Sequence, residues 1–149
     1  MTPDATILIA DDDAGHSRLI MKNLQRAGLQ NPIERFENGQ QVLDFLFCRG
    51  NRTRANRAAY LLLLDIRMPQ IDGVEILRQI KGDAELGKMP VIMLTTTDNP
   101  AEVEHCHTLG CNHYPVKPVD YDRFSTAIQQ LGQFARWGQM PAVHLATGG

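Results

Sequence analysis

The chain has 149 residues, of which 43% are hydrophobic and 21% charged, and its formal net charge is −2. This length suits one domain with one sizeable core, and the slight acidity argues against a nucleic-acid binder held by phosphate contacts. No apolar run approaches the ~18 residues that span a membrane, and no basic segment opens the N-terminus as in a secretory signal.

The first half of the chain alternates short apolar runs with segments of helical period. The run TILIA, residues 6–10, predicts a buried strand. A helix, a weaker strand, a second helix and a third strand are expected over residues 14–27, 32–36, 38–47 and 60–64. The third strand, YLLLL, is apolar on both faces, which is typical of a parallel sheet covered on both sides.

The second half continues the same alternation. Helices are predicted over residues 74–81, 100–109 and 121–137, and strands over 91–94 and 113–116. Strict alternation predicts an α/β fold, an open parallel sheet with helices on both faces and right-handed crossovers. In such folds the functional crevice lies beyond the carboxyl ends of the strands.

Four of the five predicted strands are followed directly by residues that can carry chemistry. They are Asp11, Asp12 and Asp13 after the first strand, Asp65 after the third, Thr95, Thr96 and Thr97 after the fourth, and Lys117 and Pro118 after the fifth. Only Glu37 follows the second strand, and no other residue with an evident catalytic or binding role is near it in the sequence. A single aspartate at a strand end is usually a turn or cap residue, and Asp13 is expected to cap the first helix or lie at the rim. Together, however, the four strand ends predict one site.

The acidic part of this site needs positive charge. Two carboxylates ~4 Å apart repel by roughly 4 kcal/mol at an effective dielectric near 20. Asp11, Asp12 and Asp65 therefore cannot all stay ionised beside Lys117 alone. A hard divalent ion would meet the need, and Mg²⁺ (or Mn²⁺) is predicted; the alternative is that one carboxyl keeps its proton through a raised pKa.

A carboxylate, a metal, a lysine and a hydroxyl also make up a phosphoryl-transfer site. Aspartate is a recognised nucleophile that forms an aspartyl-phosphate. A metal ion and Lys117 would neutralise the oxygens of the transferred group, and Thr95 could donate a hydrogen bond to one of them.

These motifs resemble the receiver domain of two-component response regulators. They are Asp11-Asp12, Asp65 followed by RMPQIDG, Thr95 after VIML, and Lys117-Pro118, and the resemblance covers about residues 6–131. It implies a doubly wound, flavodoxin-like sheet of five parallel strands in the order 2-1-3-4-5. It also implies a receiver domain over residues 1–137 and a tail over 138–149 that is a dimerisation arm or disordered.

The resemblance assigns roles to the acidic residues. Asp65 looks like the phospho-acceptor. Asp12 would bind Mg²⁺ directly and Asp11 through water, while Arg67 would offer its backbone carbonyl to the metal.

It also assigns roles to residues that would respond to the phosphoryl group. Thr95 and Tyr114 look like a switch pair, and Lys117, followed by Pro118, would contact Asp65 or its phosphoryl group. Thr96 stands beside them at a position that varies in the family.

A narrower resemblance is to single-domain regulators that pair with bacterial phytochrome kinases. It rests on the extended segment 48–59, the LTTT ending, the KPVD run and the tail that begins FARW. The receiver-domain resemblance implies a sensor histidine kinase as partner, and the narrower resemblance implies that this kinase is a bacteriophytochrome. About a dozen residues follow the last predicted helix, so output is expected through protein contact or a phosphotransfer partner, without nucleic acid or membrane.

Two other functions fit less well. Aspartate-nucleophile phosphatases usually carry a second acid two residues after the nucleophile, where this chain has Arg67. The loop ADDDAGH has acids where a loop that binds a nucleotide or flavin needs glycines and free N–H groups. The chain is therefore expected to catalyse only its own phosphorylation and dephosphorylation, and not to be an enzyme in the usual sense.

Three features outside the site also lead to predictions. Phe134, Trp137, Val143 and Leu145, on the last helix and tail, are candidates for a homodimer interface; the alternative is that they fold back over their own domain. The arginine-rich loop within residues 48–59 is predicted to be a surface insert on the side opposite Asp65. Three cysteines without a framework spacing predict reduced thiols in a cytoplasmic protein.

Overall fold

A computed structural model describes residues 6–26, 28, 30–49, 57–65, 68, 70–94, 100–110 and 142–144. Four parallel strands, β1 (Thr6–Ala10), β2 (Ile33–Phe36), β3 (Arg57–Asp65) and β4 (Val91–Leu94), pair in the order β2-β1-β3-β4. Within the described residues, the α-helices are α1 (Ala14–Arg26), α2 (Gly39–Leu46), α3 (Gly73–Lys81) and α4 (Pro100–Leu109). Among the described residues, no helix has the length and apolar character that crossing a membrane requires.

The central strand β3 is buried on both faces. Leu61 and Leu63 pack with residues of α1, whereas Leu62 and Leu64 pack with residues of α2 and α3 on the other face. All four leucines are at most 1% exposed. The four leucines thus form the middle of two cores, which confirms the predicted sheet covered by helices on both sides.

Short polar side chains fix the starts of two helices. The Asn38 side chain accepts a hydrogen bond from the Gln41 amide at 2.9 Å, and Asp72 accepts one from the Glu75 amide at 2.9 Å. Such caps satisfy amides that lack a partner within the helix, and each contributes about 1 kcal/mol. α2 therefore begins at Gly39 and α3 at Gly73, one residue from their predicted starts.

The amino end of β3 differs from the prediction. Residues 57–59, expected within a surface insert, extend the strand and pair antiparallel with a fifth strand, β5 (Ala142–His144). Val143 is opposite Ala58 of its own chain, as in the alternative that folds the tail back over its own domain. A short 3₁₀ helix, Leu86–Lys88, was also not predicted. The predicted strand 113–116 and helix 121–137 lie outside the described residues.

Candidate functional site

The register of β1 and β3 brings three acidic residues together. Ala10 is opposite Leu64, so Asp11 and Asp65 follow at the same edge of the sheet. Carboxylate oxygens of Asp11, Asp12 and Asp65 all lie within 4.8 Å of one another. Within the described part of the chain, no other group of three or more potential metal-ligating side chains comes as close.

The three carboxylates differ in their exposure to solvent. Asp11 is 1% exposed and Asp65 is 8% exposed, while Asp12 is exposed. Burial makes mutual repulsion more costly, because water screens the charges less. The cluster therefore has two inner acids and one outer acid, and it is open to solvent on the side of Asp12.

The donor set fits a hard divalent cation. Carboxylate oxygens are the ligands that Mg²⁺ prefers, at ~2.1 Å, so two oxygens on one Mg²⁺ lie at most ~4.2 Å apart. The oxygens of this cluster all lie within 4.8 Å of one another, which is close enough for one such ion to be held directly or through water. Mg²⁺ commonly keeps several waters in proteins.

Hydrogen bonds hold the loop that carries Asp11 and Asp12. The Asp11 amide donates to the Phe36 carbonyl at 3.1 Å, and Asp11 Oδ1 accepts from the Asp13 amide at 2.9 Å. Asp13 Oδ1 in turn accepts from the amides of Gly15 at 2.8 Å and His16 at 3.1 Å. Asp13 thus caps α1, one of the two positions expected from the sequence, and stands apart from the acidic cluster.

Residues 7–129 match the family model described as "Response regulator receiver domain". The chain belongs to this family. Receiver domains are signalling modules rather than conventional enzymes.

Solved structures of receiver domains share the fold over nearly the whole chain. A receiver domain from Rhodospirillum rubrum is 39% identical, with a TM-score of 0.85 over 95% of this chain and 100% of that one. The phosphorylated cyanobacterial phytochrome response regulator RcpA is 25% identical, with a TM-score of 0.82 over 93% and 99% of the two chains.

The response regulator Rcp1 of Synechocystis sp. is similar in both sequence and structure. It is 29% identical over 132 residues, or 89% of this chain and 89% of Rcp1. Its Mn²⁺-bound form has a TM-score of 0.83 over 92% of this chain and 99% of that one, at 28% identity. Receiver-domain membership is therefore confirmed, and the neighbours of this receiver domain include phytochrome response regulators, as its sequence predicted.

One residue that contacts the site was missed by the sequence analysis. Arg35, near the end of β2, donates from Nε to Ser17 Oγ at 2.9 Å and from Nη2 to the Asp11 carbonyl at 3.0 Å. Its Nη1 lies 3.8 Å from the Glu37 carboxylate. The available signal was a basic residue in a short strand next to an acidic strand end, but the contacts depend on tertiary structure.

The remaining predicted site residues of this receiver domain lie outside the described residues. They are Arg67, Thr95, Thr96, Tyr114, Lys117 and Pro118, together with the dimer candidates Phe134, Trp137 and Leu145. β4 ends at Leu94, which is opposite Asp65, so the fourth strand finishes at the acidic edge. The roles of these residues stay predictions.

Proposed function

We propose that this receiver domain accepts a phosphoryl group on Asp65 from a histidine kinase, with Mg²⁺ held by Asp11, Asp12 and Asp65. The observation that carries the proposal is the convergence of three carboxylates within 4.8 Å at the ends of β1 and β3. These carboxylates repel one another, and the repulsion would weaken the fold unless a cation offsets it. A role in metal-assisted phosphoryl transfer would explain why three mutually repelling carboxylates stand together at the functional edge of the sheet.

Asp65 is the best placed of the three acids to be the nucleophile. It ends the central strand β3 and is itself paired opposite Leu94, so the sheet holds its backbone in place. Asp12, by contrast, lies on the loop after β1 and is exposed. A nucleophile on a rigid element keeps the geometry that transfer requires.

The transfer step uses a carboxylate oxygen of Asp65. This oxygen attacks phosphorus as the bond from phosphorus to the phosphohistidine nitrogen breaks, and the electron pair of that bond returns to the imidazole. When bound, Mg²⁺ would neutralise charge on the carboxylates and on the oxygens of the transferred group. Asp11 and Asp12 hold their place through the loop that precedes α1. Hydrolysis of the acyl phosphate restores the Asp65 carboxylate.

Residues beyond β4 are proposed to convert phosphorylation into a new surface. Thr95 and Lys117 would contact the phosphoryl group and Tyr114 would reorient, with the signal passed on by protein contact. The end of β4 opposite Asp65 supports a role for the residue that follows Leu94. Transfer from the kinase domain of a sensor kinase would take place in the cytoplasm.

Two relatives support the cofactor and the partner. Rcp1 was solved with Mn²⁺, an ion that takes oxygen ligands as Mg²⁺ does, and RcpA was solved phosphorylated. RcpA is a phytochrome response regulator. We therefore propose a bacteriophytochrome kinase as the donor for this receiver domain.

Phosphotransfer profiling tests this proposal. Autophosphorylated sensor kinases of the source organism, labelled on phosphate, would be mixed one at a time with the purified chain and Mg²⁺, and the label followed over time. We expect transfer from a phytochrome-type kinase to be fastest, and to stop when Mg²⁺ is chelated. Fast transfer from a different kinase would contradict the phytochrome pairing, and no transfer from any kinase would contradict phospho-acceptance.

The homodimer proposed from Phe134, Trp137, Val143 and Leu145 needs a separate test. We expect sedimentation velocity at tens of micromolar to show a dimer, in buffer alone or with acetyl phosphate and Mg²⁺. The backbone pairing of Val143 with Ala58 places that part of the tail on its own domain, so a dimer would have to form around this pairing or exchange it. A monomer under both conditions would rule the dimer out.

A further inference from the structure

We propose that Arg35 is a positioning residue for the metal site. Its guanidinium holds the peptide between Asp11 and Asp12 and thereby sets where the Asp12 carboxylate points. This inference rests on the proposed function, because it assumes that Asp12 is a metal ligand.

The contacts of Arg35 join three parts of the fold. The residue lies on β2, its Nη2 donates to the Asp11 carbonyl at 3.0 Å, and its Nε donates to Ser17 Oγ on α1 at 2.9 Å. Ser17 is 1% exposed and the Arg35 side chain is 24% exposed. A planar guanidinium presents donors in a fixed fork, so two bonds fix its orientation. Arg35 therefore ties the loop after β1 to both β2 and α1.

The bond to the Asp11 carbonyl acts directly on Asp12. The carbonyl of Asp11 and the amide and Cα of Asp12 belong to one rigid peptide plane. Fixing the carbonyl oxygen at one point restricts rotation of that plane. The next peptide, between Asp12 and Asp13, is restrained as well, because the Asp13 amide donates to Asp11 Oδ1 at 2.9 Å. Asp12 is exposed, and these two peptides, which flank its Cα, set the direction in which its side chain leaves the backbone.

Charge alone predicts the opposite effect on metal binding. A guanidinium cation near a cation site repels the incoming ion, so its removal would tighten metal binding if only charge mattered. Glu37, 3.8 Å from Arg35 Nη1, offsets part of that charge. A role in positioning predicts weaker binding on removal, as is found when groups that orient metal ligands are lost. The sign of the change therefore separates the two effects.

The test measures Mn²⁺ affinity from the electron paramagnetic resonance signal of the free ion. Arg35→Met keeps much of the apolar stem and removes the charge and the donors. We expect it to bind Mn²⁺ about tenfold more weakly than the unmodified chain, the lower end of the effect of losing an orienting partner. Arg35→Lys, with one ammonium in place of the fork, should be intermediate. Equal or tighter binding by Arg35→Met would overturn the inference.

The matched control is Arg78→Met. Arg78 on α3 forms an ion pair with Glu75, as Arg35 does with Glu37, and its loss changes the net charge by the same amount. We expect Mn²⁺ affinity to be unchanged. If both variants weakened binding equally, the effect would not be specific to Arg35 and the inference would fall.

Two further measurements separate positioning from folding and from the proposed function. The rate of labelling by acetyl phosphate in Arg35→Met should reach the unmodified maximum, but at a higher Mg²⁺ concentration; a lower maximum at saturating Mg²⁺ would contradict a role in metal positioning. If Arg35→Met does not fold, Arg35→Lys carries the test, and equal Mn²⁺ binding by it would overturn the inference. If the unmodified chain binds Mn²⁺ and Arg35→Met binds it equally, only the inference falls. If the unmodified chain binds none, both proposals fall.

Discussion

Asp65→Asn is expected to abolish phosphoryl labelling of the chain by acetyl phosphate or by a cognate kinase. The amide lacks the anionic oxygen that attacks phosphorus, although its size and its place at the end of β3 are kept. Intact mass spectrometry in the presence of Mg²⁺ would follow the loss, from about one phosphoryl group per chain to background. Peptide mapping of the unmodified chain would place the label on Asp65 directly.

Asp44→Asn is a suitable control for this experiment. Asp44 lies in the last turn of α2, where its Oδ1 accepts from Gln40 Nε2 at 2.7 Å, and asparagine keeps that acceptor. The charge change is the same, but the residue is outside the acidic cluster. We expect full labelling of this variant. Stoichiometric labelling of Asp65→Asn would contradict the assignment of Asp65 as the phospho-acceptor. Any weaker labelling that maps to Asp12 in that variant would show that a neighbouring acid can substitute.

The parts of the fold that the sequence predicts well are those set by local pattern. β1 matches its predicted bounds because this run of 5 residues, apolar after Thr6, is too short for a typical helix and suits a buried strand. The sequence alone places Asp65 beside Asp11, since the carboxyl ends of parallel strands meet at one edge. The cap by Asp13 likewise depends only on residues within three positions of it.

The features that were missed depend on contacts between distant parts of the chain. Residues 57–59 read RAA, which carries no strand pattern, and they are strand because the tail pairs with them. Arg35 could not be assigned because its partners, Asp11 and Ser17, belong to two other elements. The sequence therefore predicts which residues reach the edge of the sheet better than it predicts what holds them there.

Asp12→Asn is expected to have opposite effects on metal binding and on the stability of the metal-free chain. Loss of a charged ligand should weaken Mg²⁺ binding by about tenfold or more. Without divalent ions, the same change relieves repulsion from Asp11 and Asp65. Because Asp12 is exposed, that repulsion is about 1 kcal/mol, and its relief should raise the melting temperature by roughly 2–4 °C in a chain of this length. Thermal melts with EDTA and with a series of Mg²⁺ concentrations measure both effects.

Asp13→Asn provides the sharpest control, because it removes the same charge one residue further along. Asparagine caps a helix as well as aspartate does, so α1 should keep its N-terminal hydrogen bonds. Asp13 is outside the group of carboxylates that lie within 4.8 Å, and Mg²⁺ affinity should stay within about twofold, since solvent and salt screen its charge. If Asp12→Asn instead lowered the melting temperature in EDTA, repulsion between the three carboxylates would not destabilise the metal-free chain. If both variants weakened Mg²⁺ binding alike, general acidity of the loop, and not ligation by Asp12, would explain the affinity.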